Sequence, residues 1–286
     1  MTGITNVTVL GTGVLGSQIA YQTAFHGFAV TAYDINSDAL DAAKKRFEGL
    51  AAVYEKEVAG AADGAAHKAL GGIRYSDDLA QAVKDADLVI EAVPESLDLK
   101  RDIYTKLGEL APAKTIFATN SSTLLPSDLV GYTGRGDKFL ALHFANHVWV
   151  NNTAEVMGTT KTDPDVYQQV VDFASAIGMV PIELKKEKAG YVLNSLLVPL
   201  LDAAAELLVD GIADPETIDK TWRIGTGAPK GPFEIYDIVG LTTAYNIASV
   251  SGPKQREFAA YLKENYIDKG KLGLATGEGF YRYTDG

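Results

Sequence analysis

The sequence predicts an α/β protein: a doubly wound, mainly parallel sheet followed by a second, all-α domain. Three observations point there. In the first half, short β-branched runs alternate with longer stretches of helical period, the pattern of parallel strands covered on both faces. A glycine-rich turn, Gly11-Thr12-Gly13-Val14-Leu15-Gly16, joins the first such run to the first helix. Beyond about residue 185 the β-patterned runs nearly vanish and amphipathic helices take over.

Taken in order, residues 6–10, 29–33, 88–93, 115–119 and 139–143 are short, mainly apolar runs that read as buried strands. Residues 17–26 form the first helix, closed by Gly27. Residues 38–58 form a long helix, and 77–84 and 98–110 two shorter ones. Residues 131–137 read as a polar loop. Residues 191–209 then give a long amphipathic helix. A second follows at 214–222, with Asp214 as N-cap and Pro215 at the first helical position, and further helices at 241–248 and 255–266. A boundary in the charged stretch 183–188 divides a domain at 1–186 from one at 187–286.

Composition narrows the function. Of 286 residues 47% are hydrophobic and 22% charged, enough apolar material for a real core. Lys plus Arg is 26 against 37 for Asp plus Glu, and a net charge of −11 argues against a nucleic-acid surface. The uncharged stretches 139–154 and 189–201 fall short of the ~20 apolar residues that span a bilayer. The first residues run into a strand without a basic region or signal core. The expectation is a soluble, cytoplasmic protein with no membrane partner. Cys is absent, which excludes disulfides, thiolate nucleophiles and cysteine-ligated zinc.

With 28 glycines in the chain, a G-x-G-x-x-G match alone is weak. Its setting gives it meaning: a strand precedes, a helix follows, and a second strand ends at Asp34, eighteen residues past Gly16. Gly11 permits the tight turn, Gly13 lets a pyrophosphate approach the backbone, and Gly16 lets helix pack on strand, which is the Rossmann-type signature. The helix N-terminus offers free N–H groups to the diphosphate. Asp34 accepts hydrogen bonds from ribose hydroxyls and repels a 2′-phosphate, and Ile35-Asn36-Ser37 offer no cation, so NAD(H) is expected over NADP(H). Flavin is the alternative, but no second flavin signature accompanies the loop.

Four histidines are present, and His26 and His67 sit in helical contexts that read as structural. His143 falls at the carboxyl end of a strand, the edge where open parallel sheets bind ligands, and Ser121 and Ser122 follow the strand ending at Thr119. Hydride transfer to a ketone leaves negative charge on oxygen; an imidazolium can neutralise it, its unperturbed pKa near 6.5 suiting neutral operation. Glu155 is the candidate carboxylate for the other ring nitrogen. His143 and His147 would make a metal pair only on one helix face, and Val148-Trp149-Val150 is not helical, so no metal site is expected. A serine hydrolase is disfavoured because no G-x-S-x-G elbow occurs.

Seven blocks now occur in order: Gly11 to Gly16, Glu91-Ala92-Val93-Pro94-Glu95, Thr119-Asn120-Ser121-Ser122-Thr123, His143-Phe144-Ala145-Asn146 with Glu155, Gly190-Tyr191-Val192-Leu193-Asn194, Gly231-Pro232-Phe233 and Thr276-Gly277-Glu278-Gly279-Phe280-Tyr281. Together they resemble the 3-hydroxyacyl-CoA dehydrogenase family over essentially the whole chain. The resemblance implies a Rossmann-type domain for NAD(H) and a helical domain that forms a homodimer. It implies His143 as acid/base with Glu155 as partner, and Ser122 and Asn194 on the substrate oxygen. Ala92, Val93, Glu95, Lys100, Asn120, Ser122 and Asn146 would line the cofactor site beside Gly11, Gly13, Val14, Leu15, Gly16 and Asp34.

Departures from the family bear on substrate. Ala145 and His147 stand where Phe and Pro are usual, Asn151-Asn152-Thr153-Ala154 replaces a more apolar stretch, Ser195 replaces Arg, and Trp222 replaces an aliphatic residue. Trp222 is thereby a candidate wall of the substrate pocket. The pattern is similar to a branch of the family that reduces β,δ-diketo esters with NADH, and implies reversible reduction of 3-oxo compounds. A CoA thioester of the 3-hydroxybutyryl type is the alternative, with Lys44, Lys45, Arg46, Lys56 and Lys68 as phosphate partners. On helices that also carry Glu48, Glu55 and Glu57, those cations equally read as solvated faces. A sugar-acid dehydrogenase and a catalytically silent NAD-binding protein are further alternatives.

Overall fold

The computed structural model describes residues 3–283. Residues 1–2 and 284–286, the outer ends of the two expected domains, lie outside the described residues. The chain divides into two compact units, the first ending at Val192 and the second beginning at Leu193.

In the first unit β1 (Asn6–Leu10), α1 (Val14–Phe25), β2 (Ala29–Tyr33), α2 (Ser37–Glu57), α3 (Ala65–Leu70) and β3 (Ile73–Ser76) form the first half of the sheet. The chain then runs through α4 (Leu79–Val83), β4 (Leu88–Glu91), α5 (Leu97–Leu110), β5 (Ile116–Thr119), α6 (Pro126–Leu129) and β6 (Phe139–Phe144). It finishes with β7 (Thr153–Gly158), α7 (Pro164–Ala176) and β8 (Val180–Leu184). The strand order is β3-β2-β1-β4-β5-β6-β7-β8, with every neighbouring pair parallel except β6 and β7. The order reverses at β1, between β2 and β4, and that switch point is where open α/β sheets leave a crevice.

Strand periodicity builds both faces. On β4, Leu88 and Ile90 pack with Val7, Val9, Ile19 and Phe47 under α1 and α2, while Val89 points the other way to Ile103, Tyr104 and Leu107 of α5. Each such side chain, fully buried, contributes about 1.5–3 kcal/mol, whereas the exposed pairs Lys44–Asp41 and Lys106–Asp102 are screened by solvent and add little. Burial on two faces therefore holds the sheet. Local signals set the helix starts: Asn36 accepts from Ala39 N at 2.9 Å for α2, and Asp163 accepts from Asp165 N at 2.8 Å for α7, with Pro164 behind it.

The structure corrects several expectations. The charged stretch 183–188 is not the boundary, because Glu183 and Leu184 pair with Val156 and Met157 as the end of β8. Residues 131–137 are more than a loop: 3-10 turns at Val130–Tyr132 and Gly136–Lys138 flank Arg135, whose guanidinium donates to the carbonyls of Gly108, Ala111 and Pro112 at the end of α5. β4 stops at Glu91, two residues before Val93.

The second unit comprises α8 (Leu193–Val209), α9 (Pro215–Thr226), α10 (Pro232–Val239), α11 (Leu241–Ser249) and α12 (Pro253–Asn265). Leu201, Phe233, Tyr236, Leu241, Phe258 and Leu262 form its core. Asp214 caps α9 as expected, accepting from Thr217 N at 2.7 Å. α8 begins at Leu193 rather than Tyr191, whose φ of 52° is left-handed. Buried Asp237 accepts from Phe280 N at 2.9 Å and Tyr281 N at 3.0 Å, which ties the Thr276 to Tyr281 block to α10. Gly279 there is obligatory, since a Cβ would sit 2.0 Å from Asp237 Oδ1.

Candidate active site

The glycine turn leaves β1 at the sheet's carboxyl edge. A Cβ on Gly16 would lie 1.9 Å from Gly11 O, and one on Gly11 2.7 Å from Ala92 O, so both glycines are fixed by close backbone packing. A Cβ on Gly13 would meet nothing within 4 Å; it faces open space. No side chain caps α1 and its first turn carries no acid, so the leading N–H groups of the helix point into that space unpaired by a carboxylate. A cavity of about 300 Å³ lies there, lined by Gly13, Val14, Leu15, Gly16, Ala92, Val93, Glu95, Lys100, Asn120 and Ser122. The cradle fits the diphosphate of a dinucleotide.

Asp34 follows β2 directly. Its Oδ2 accepts from Thr12 N at 2.8 Å and Thr12 Oγ1 at 2.6 Å, and its Oδ1 from Ile35 N at 2.8 Å. Three donors on about four lone-pair sites leave room for one ribose hydroxyl. Arg46, from α2, donates to Thr12 O at 3.1 Å and braces the same turn.

Beside the cavity lies an ionic network whose centre, Glu91 and Lys100, is buried. Glu91, at the end of β4, accepts from Lys100 Nζ at 2.5 Å, Val93 N at 2.9 Å and Thr119 Oγ1 at 2.8 Å. Lys100 also reaches Val93 O at 3.3 Å and Glu95 at 3.4 Å. Glu95 accepts from Ser121 Oγ, Thr123 N and Thr123 Oγ1. Burial would push the Glu95 carboxyl up, but the hydroxyl donors and the Lys100 charge outweigh it and hold it below its ordinary value. The network thus fixes the β5–α6 loop that carries Ser121 and Ser122.

His143 sits on β6 opposite Glu155 on β7, in direct antiparallel register. Its Nδ1 lies 2.9 Å from Glu155 Oε2 and its Nε2 3.1 Å from Ser122 Oγ, with His143 and Glu155 both almost fully buried. A carboxylate only accepts, so Nδ1 carries a proton and Nε2 is the nitrogen presented to Ser122. Asn120 Oδ1 accepts from Phe144 N at 3.0 Å and locks the end of β6 to β5. Asn146 is exposed just beyond, its carbonyl accepting from Asn151 Nδ2 at 2.8 Å. Asn194 and Trp222 belong to the second unit, Asn194 in the first turn of α8 and half-buried Trp222 on α9.

Sequence reasoning missed Gln18, Glu91 and the individual role of Tyr191. Gln18 Oε1 accepts from His147 N at 2.7 Å and shapes the turn after β6. Glu91 did leave a signal, as a lone acid ending an apolar strand. Tyr191, which stacks on His143 with centroids 4.4 Å apart, left none.

Comparison with known proteins follows the same lines. The NAD-binding domain of 3-hydroxyacyl-CoA dehydrogenases matches residues 6–188, and the C-terminal domain of those enzymes matches residues 190–283. Mitochondrial hydroxyacyl-coenzyme A dehydrogenase of Homo sapiens is 37% identical over 288 residues, covering 98% of this chain and 91% of its own. A solved diketoreductase, described for substrate-directed dual catalysis of dicarbonyl compounds, is 98% identical with a TM-score of 0.96, covering 99% of this chain and 100% of its own. The crystal structure of (S)-3-hydroxybutyryl-CoA dehydrogenase from Ralstonia eutropha is 30% identical with a TM-score of 0.82, covering 99% and 100%. This chain belongs to the 3-hydroxyacyl-CoA dehydrogenase family and is an NAD-dependent oxidoreductase acting between hydroxyl and keto groups.

Proposed function

We propose that the chain reduces 3-oxo compounds, β-keto or β,δ-diketo esters, to 3-hydroxy compounds with NADH, reversibly, with His143 as acid/base. The observation that carries the reading is the Ser122–His143–Glu155 array, standing at the sheet edge that also bears the glycine cradle. Bound NADH supplies the hydride. Ser122 Oγ donates a hydrogen bond to the keto oxygen and holds it against His143 Nε2, which delivers a proton to that oxygen as negative charge develops. Glu155 keeps the proton on Nδ1 and stabilises the imidazolium. Asn194 is assigned to the same substrate oxygen and Trp222 to the pocket wall, both by their family positions.

A CoA-free dicarbonyl substrate is favoured by the likeness to the diketoreductase. A CoA thioester is the second reading, supported by the human and Ralstonia relatives. NADH oxidation at equal cofactor concentration separates them: a β,δ-diketo ester is expected to be turned over faster than acetoacetyl-CoA. Turnover of the thioester alone would install the second reading, and no NADH oxidation with either would overturn both.

A homodimer through the second unit belongs to the same proposal. Leu196 is 71% exposed, Ile212 69%, Ile224 76% and Val250 86%, apolar side chains that a second copy of this chain would cover. Sedimentation is expected to give about twice the chain mass of 30.5 kDa, and a monomer would contradict it. A cytoplasmic setting is also proposed, in keeping with a chain that has no cysteine; recovery in an organelle fraction would overturn it. No helix among the described residues is long and apolar enough to cross a membrane.

A further inference from the structure

Three consecutive residues touch each member of the array. Gly190 N donates to Ser122 O at 3.2 Å, Val192 N donates to Glu155 Oε1 at 2.9 Å, and between them the Tyr191 ring lies on the His143 imidazole. The two rings are 4.4 Å apart and 8° from parallel. Tyr191 is 1% exposed, and its hydroxyl donates to Ser121 O at 2.8 Å. Its φ of 52° is a conformation bulky residues seldom adopt, and strain of this kind persists only where surrounding contacts enforce it.

We propose that Tyr191 is a positioning residue for the reaction: its ring face orients His143 and favours the imidazolium, while its hydroxyl pins the loop that carries Ser122. The proposal rests on the reading of His143 as the acid.

The surroundings divide the work. In the plane of the imidazole, β7 supplies Glu155 at Nδ1 and the β5–α6 loop supplies Ser122 at Nε2, so rotation out of that plane is what the stacked ring opposes. An aromatic face attracts a cation more than a neutral ring, so the stack discriminates between the two states of the acid. The charged groups near this arrangement are Glu155 on β7 and, at the end of β4 and beyond, Glu91 and Glu95, with Lys100 paired to the latter two. Burial pushes the Tyr191 phenol far above its ordinary value, and Glu155, Glu95 and Glu91 push it further. The phenol therefore keeps its proton throughout an assay range. It serves as a fixed donor to Ser121 O and not as a source of the reaction's proton.

The test compares Tyr191→Phe, Tyr191→Leu and His143→Ala in ketone reduction, reading kcat, KM, the pH profile of kcat and NADH affinity. Tyr191→Leu is expected to lower kcat about 10–100-fold with NADH affinity kept. It should also move the alkaline limb of the profile to lower pH by about half a unit to one unit. Tyr191→Phe, which keeps the ring, should lower kcat about 3–10-fold with the limb unmoved. Wild-type kcat in Tyr191→Leu, or a lowered kcat with an unmoved limb, would overturn the proposal. If Tyr191→Leu loses its cooperative melt, Tyr191→Phe carries the test, and wild-type kcat in that variant overturns the hydroxyl's role. Retained turnover in His143→Ala would instead sink the underlying assignment of the acid. Loss there with no effect at Tyr191 would sink this inference alone.

Discussion

Glu155 holds two groups at once, the His143 ring through Oε2 and the Val192 N–H through Oε1. Glu155→Gln preserves shape and removes charge, so the imidazolium loses its counter-ion while the ring keeps an acceptor. We expect kcat to fall about tenfold to hundredfold with the pH–rate profile displaced; an unchanged profile would dismiss the pair. If Trp222 walls the substrate pocket as proposed, Trp222→Val is expected to raise turnover of bulky ketones relative to small ones, because a smaller side chain frees volume there. An unaltered ratio would remove Trp222 from that wall. At this scale the sequence was informative where chemistry demands a particular group: Asp34 at a strand end, His143 at a sheet rim, serines after β5. It was silent about Tyr191 and Gln18, since an aromatic or an amide inside an apolar context looks the same whether it fills space or holds an active residue.

The turn between β1 and α1 works as one element, because each of its outer glycines is enforced by backbone and not by side chains. Gly16→Ala drives a methyl into Gly11 O. The helix must then shift off the strand, at a cost of about 1–3 kcal/mol in denaturant unfolding and about tenfold or more in NADH affinity. Wild-type affinity in that variant would show that the cradle does not depend on this packing. The strands that flank the turn were legible because each is an apolar run of β-branched residues buried on both faces. β3, β7 and β8 were not. β3 carries Arg74 and Ser76, and β8 is an edge strand with Pro181 and exposed Val180. β7 contains Glu155, whose burial makes sense only once His143 is known to stand opposite. Edge position and cross-strand pairing are non-local, and a single segment does not encode them.

For the whole molecule, alternation of strand and helix followed by helices alone was enough to give the two-part architecture. The exact boundary is not legible in the charged run 183–188, because its first residues complete the sheet and the second unit begins at Leu193. Cofactor binding is assigned to the first unit, so NADH at a hundred times its dissociation constant should stabilise the native chain by about 2.7 kcal/mol. NADPH should do so far less, since Asp34 repels a 2′-phosphate. An equal rise in melting temperature with both would contradict the role of Asp34. The central claim is narrower: the imidazole held between Ser122 and Glu155 gives the proton that accompanies hydride transfer. Its most direct test is the single-turnover rate of NADH oxidation by His143→Ala with a saturating diketo ester. A rate about 10²–10⁴-fold below wild type, with NADH affinity retained, is the predicted result; a rate within a few-fold of wild type would contradict it.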